Sequence, residues 1–71
     1  MTFSVLDAVR TKRAVDGIGL PADSIGTIVL VHLDGDKIAY EVEFADAEGV
    51  TLGFIVMKPE DLAPTGIQQA A

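Results

Sequence analysis

Three apolar-rich runs follow one another in the chain, separated only by turns. They are "SIGTIVLVHL" (residues 24–33), "IAYEVEF" (38–44) and "VTLGFIVM" (50–57). Each is too short for a stable helix and dense in β-branched and aromatic residues, which favours strands. The first gap, "DGDK", carries the Asp-Gly hairpin signal. The second, "ADAEG", ends on Gly49, a residue that adopts positive φ without strain. Strands joined by such short gaps can only pair antiparallel, so residues 24–57 read as a three-stranded meander.

The flanks add two shorter strands. "FSVLDAVRT" (3–11) reads as a first strand, and "KRAVDGIGLPAD" (12–23), with two glycines and a proline, as a long loop. In "KPEDLAP" (58–64) the proline stops the ladder; a tight helical turn and a very short fifth strand around Leu62 are expected there. "TGIQQAA" (65–71) has nothing to bury and reads as a flexible C-terminal tail. No stretch keeps a helical period. Five short strands in 71 residues are too few for a two-sheet sandwich, and bending into a barrel limits exposed edges. The expected fold is all-β: a small five-stranded SH3-like barrel over residues 1–64, with a long first loop and a short helical turn before the last strand.

Turn lengths then set a register. With "DGDK" as the first loop, Leu33 faces Ile38, Val31 faces Tyr40, Val29 faces Val42 and Thr27 faces Phe44. With "ADAEG" as the second, Phe44 faces Val50, Val42 faces Leu52, Tyr40 faces Phe54 and Ile38 faces Val56. Both hairpins then share one apolar inner face, from Val29, Val31 and Leu33 through Ile38, Tyr40, Val42 and Phe44 to Val50, Leu52, Phe54 and Val56. The opposite face would carry Ile28, Leu30, His32, Ala39, Glu41, Glu43, Thr51, Gly53, Ile55 and Met57. Four of these are sizeable hydrophobes on a face that should be wet, and small monomers seldom expose a large contiguous apolar patch. Ile28, Leu30, Glu41, Gly53, Ile55 and Met57 are therefore the expected interface. Cover by the N-terminal segment or the long loop is the intramolecular alternative, and simple exposure of the patch is the other.

Charge narrows the partners. The net charge is −6, unevenly spread: Arg10, Lys12 and Arg13 face only Asp7 in residues 1–13, whereas residues 14–71 set Lys37 and Lys58 against ten acids. Such an acidic body repels phosphate backbones, so nucleic acid is not expected as a partner. The basic trio reads as a solvated strand end. No apolar run approaches the roughly 20 residues of a membrane-spanning helix, and the N-terminus shows no basic leader before an apolar core. A cytoplasmic protein without membrane contact is expected. There is no cysteine, hence no disulfide, zinc knuckle or thiol nucleophile.

The motifs that resemble chemistry fail on context. "GIGLPA" at residues 17–22 fits a loose dinucleotide pattern, yet that pattern needs a strand before it and a helix after it, and here another strand follows. "DGDKI" opens like a calcium loop, but the third acid, the sixth-position glycine and the distal glutamate are missing. His32 faces Ala39 with Glu41 diagonal to it and has no nucleophile within reach of the register. Three of the four aromatic residues fall on the inner face, which leaves no surface platform for single strands or proline-rich peptides. No catalytic residue, metal ligand or cofactor is assigned.

"LDAVR", "LPADSIGTIVLV", "YEVEF" and "EDLAP" together resemble a family of small bacterial domains of unknown function with an SH3-like fold, over about residues 3–64. "GTIV" and "YEVEF" also resemble the barrel domain of the nitrile hydratase β subunit. The resemblance implies a fold and no catalytic residue. It implies an interaction module or accessory subunit, in some cases beside toxin-like neighbours. The expected function is a non-enzymatic module that binds itself, as a homodimer, or a partner protein through the outer face of the meander. The alternative is an accessory, regulatory or toxin-neutralising subunit of a separately encoded enzyme.

Overall fold

The computed structural model describes residues 2–66; the expected tail beyond Gly66 lies outside the described residues. The chain is all-β. Strands β1 (Ala8–Thr11), β2 (Ile25–Asp34), β3 (Lys37–Ala45), β4 (Thr51–Met57) and β5 (Leu62–Pro64) form one antiparallel sheet in the order β4-β3-β2-β1-β5. Two 3₁₀ turns interrupt it, Asp16–Ile18 in the long loop and Pro59–Asp61 before β5. The second is the expected helical turn, with Pro59 opening it where no N–H is needed.

No α-helix of the described residues covers this sheet; the strands, the N-terminal turn and the long loop bury its apolar side between them. Val9, Ile28, Tyr40, Val42, Phe44, Met57 and Leu62, drawn from all five strands, join Phe3 and Val15 in one core cluster. β1 is shorter than expected because residues 4–7 turn. The Asp7 carboxylate accepts from Ser4 N–H at 2.7 Å, Asp7 N–H donates to the Ser4 carbonyl, and Leu6 takes φ 77°. The turn sends Phe3 back into the core. Its N–H donates to the Tyr40 hydroxyl at 3.0 Å, and its ring meets the Tyr40 ring edge to face. The one buried tyrosine thus has its polar tip satisfied.

The β2–β3 hairpin keeps the expected register from Val31↔Tyr40 to Leu33↔Ile38, closing on Asp34↔Lys37. Beyond Leu30↔Glu41 it slips to Ile28↔Val42, so Val29 is the extra residue of a β-bulge. That corrects the first expectation. Ile28, expected on the outer face, is fully buried, and Val29 is not in its place. The bulge sits where the N-terminal turn crosses β2: Ile28 N–H donates to the Asp7 carbonyl and Leu6 N–H to the Ile28 carbonyl.

The β3–β4 hairpin departs further. Asp46 organises its loop, the carboxylate accepting from Glu48 N–H and Val50 N–H at 2.9 Å each, with Gly49 at φ 84°. The loop therefore runs over residues 46–50 and the first pair is Ala45↔Thr51. That shift alone preserves the faces. A second bulge at Leu52 then moves the pairing by one more residue, to Phe44↔Gly53, Val42↔Ile55 and Tyr40↔Met57. An odd shift flips a strand. Gly53, Ile55 and Met57 point inward, whereas Leu52, Phe54 and Val56, expected inside, are exposed. Shape favours this outcome. Ile18 of the long loop packs so close over Gly53 that a Cβ there would lie 3.0 Å from its Cγ2.

A candidate docking face and an open strand edge

The outer face is built in rows. Leu30 of β2 stands opposite Glu41 of β3, which stands opposite Val56 of β4. The neighbouring row runs Thr27, Glu43, Phe54. Both carboxylates have partners on this face: Glu41 Oε1 lies 3.1 Å from His32 Nε2, and Glu43 accepts from the Thr51 hydroxyl. Around them Leu30, Leu52, Phe54 and Val56 are 47%, 45%, 55% and 57% exposed. A surface strand normally shows polar side chains here; β4 shows Phe54 and Val56, with Leu52 exposed at the bulge.

Of the six expected interface residues, the structure places Leu30 and Glu41 on this face. Ile28 and Met57 are core residues, and Gly53 and Ile55 lie on the inner side against the long loop. Leu52, Phe54 and Val56 take their places. An apolar outer face was legible in the sequence because β4 is apolar on both sides; which side faces out was not, because one bulge decides it.

β4 is also the last strand of the sheet on its side. The direction of its backbone groups follows from β2. Ile28 commits both its N–H and its C=O to the N-terminal turn, so its pairing with Val42 is of the non-hydrogen-bonded kind. Val42 therefore turns its backbone groups toward Ile55. By alternation Phe54 and Val56 turn theirs away from β3, to the open edge. The residues with the exposed side chains thus also hold the free hydrogen-bonding groups. Natural edges are usually blunted with lysine, proline, inward charge or a bulge, and β4 has one bulge, at Leu52 near its start. Residues 49–57 carry neither charge nor proline.

The other sequence motifs resolve into structure. Arg10 pairs with Asp23 at 2.7 Å and Arg13 with Asp61 at 3.2 Å, so two of the basic trio are matched by acids. Gly17 lies in the three-residue 3₁₀ turn, and the "GIGLPA" glycines shape a loop closed by mutual hydrogen bonds between Val15 and Leu20. Asp34 and Asp36 flank the Gly35 turn, and among the described residues no group of three His, Asp or Glu side chains converges as metal ligands. An open cleft of about 560 Å³ lies beside the β2–β3 turn. Its apolar lining of Ile38, Ala39 and Pro59 is framed by Lys37 and Lys58 against Asp34 and Glu60, a balanced set that favours neither anion nor cation. No helix of the described residues is long and apolar enough to cross a membrane.

Residues 5–64 match the model of a family described as a domain of unknown function, DUF4926. No curated protein and no solved structure matches the chain.

Proposed function

The chain belongs to the DUF4926 family of domains of unknown function, and from its own surface we propose that it is a protein-interaction module, performing no chemistry itself, that binds through the outer face of β2, β3 and β4 and the open edge of β4. One observation carries this reading. Leu52, Phe54 and Val56 present exposed apolar side chains along a strand that has no charge to protect its edge. Exposed apolar surface on a small domain marks a contact site, and an unpaired edge adds main-chain hydrogen bonds to the contact. We read the architecture as SH3-like. The long first loop, the meander, the 3₁₀ turn and a last strand beside the first support that reading.

Leu30→Glu and Phe54→Glu test it. Both side chains are outside the core, so circular dichroism and the urea midpoint stay close to those of the parent. The expected result is loss of association, followed by light scattering and by stoichiometric co-purification from the native cells. Unchanged association in both variants refutes the surface.

A further inference from the structure

Resting on that reading, we propose that the occupant of the β4 edge is a second copy of this chain, joined antiparallel about a two-fold axis through Phe54. The strand Thr51–Met57 is centred on Phe54, so this register lays each end of the strand against the other, with a regular ladder from Gly53 to Ile55. It also matches the hydrogen-bonding pattern. Phe54 has its N–H and C=O turned outward, so it meets its own counterpart across the axis. Val56, likewise turned outward, falls opposite the bulge residue Leu52 of the other copy, where the regular ladder ends. A two-fold contact needs such a self-complementary patch.

Charge supplies the second argument. One end of β4 leads into Lys58 and the other comes from the loop bearing Asp46 and Glu48. Neither Lys58 nor Glu48 has an ion-pair partner within 4.0 Å among the described residues. Antiparallel self-pairing lays Lys58 of one copy beside residues 48–50 of the other, and symmetry makes the contact twice. The strand between these ends is uncharged, so two acidic bodies meet along a neutral seam. The joined outer faces bring Leu52, Phe54 and Val56 of both copies together. One pair of seven-residue strands is a small contact beside the roughly 1,600 Å² of a standard interface, so the dimer is weak and concentration-dependent.

The chain has no cysteine, which makes introduced thiols unambiguous. Directly opposed hydrogen-bonded residues lie about 5.5 Å apart at Cα, within disulfide reach. Phe54→Cys is expected to give a covalent dimer under mild oxidation. Leu33→Cys, also exposed but distant from the edge, is expected to stay monomeric. A mixture of Leu52→Cys and Val56→Cys is expected to cross-link more readily than either variant alone. In light scattering across a dilution series, Lys58→Glu and Glu48→Lys each weaken the dimer by roughly tenfold, because each reversal acts at both symmetric contacts. The double exchange restores it.

A monomer at every concentration, with the Phe54→Cys variant no faster to cross-link than the Leu33→Cys variant, overturns the self-pairing. So does a dimer that ignores the charge exchanges and gives no cross-link through Phe54→Cys. If the monomeric chain still binds another protein and loses it on Phe54→Glu, self-pairing falls while the interaction-module reading stands. If Phe54→Glu alters neither, both fall.

Discussion

Gly26→Ala probes the inner face of the sheet at its tightest point. Gly26 lies on β2, paired with Val9, and a Cβ there would stand 2.5 Å from Val42 Cγ1, 2.9 Å from Phe44 Cε1 and 3.0 Å from the Glu43 carbonyl oxygen. Carbon atoms rest at about 3.5–4.0 Å, so the methyl would overlap three neighbours at once. None yields easily: Val42 and Phe44 are fully buried, and Glu43 is ladder backbone. Overpacking of this kind costs about 1–3 kcal/mol. The alanine also stiffens the unfolded chain, which offsets about 0.4–1 kcal/mol. Three overlaps at once put this site at the upper end of the overpacking range, about 2–3 kcal/mol, so the net loss is about 1–2.5 kcal/mol, a large part of the stability of so small a domain. With a urea slope of about 1 kcal/mol/M, the unfolding midpoint falls by about 1–2.5 M. Gly53→Ala is the control. Its added methyl meets only the Ile18 side chain of a loop, so its cost stays below about 1 kcal/mol. If Gly26→Ala unfolds within about 0.3 M of the parent, no more than an ordinary surface substitution gives, the close packing of β2 on Val42 and Phe44 is wrong.

Three further expectations follow from the same register. Met57→Ala opens a cavity at a side chain 1% exposed and costs about 2–5 kcal/mol, whereas Val56→Ala next to it costs about 0.5 kcal/mol or less; the reverse order in urea unfolding would restore the unbulged register. Tyr40→Phe keeps the ring but strands the Phe3 N–H, at a cost of about 1–3 kcal/mol, and early amide exchange at Phe3 would report the loss. Asp46→Ala removes the acceptor for two loop amides and costs about 1 kcal/mol, with the Glu48 and Val50 amides exchanging faster by NMR.

The five strands, the long loop, the 3₁₀ turn and the inward set Tyr40, Val42 and Phe44 were legible because β3 alternates cleanly between apolar and charged residues. The lower half of the first hairpin followed from its Asp-Gly turn. The rest turned on single extra residues. Val29 and Leu52 carry no mark that distinguishes a bulge from regular strand, since both sit in runs apolar on either side. Hydrophobic pattern fixes a face only where the other face is polar. The early turn was hidden for another reason: Leu6 adopts positive φ, which a β-propensity reading assigns to glycine or asparagine. Of the docking face, Leu30 and Glu41 were found and the β4 residues were not, because their exposure depends on the second bulge.

The contact between Ile18 and Gly53 has a consequence for how the last long strand finds its place. Oil-and-water sorting cannot choose between the two faces of β4, since either would make an acceptable core. A residue some thirty-five positions upstream makes the choice by occupying space that Leu52 or Phe54 could not share. Ile18 thus works as a gauge block, with the one glycine of β4 seated beneath it. Surface identity in this domain is then set by a loop on the opposite side of the sheet, and sequence change in the loop can redraw the candidate docking face without altering a single residue on it.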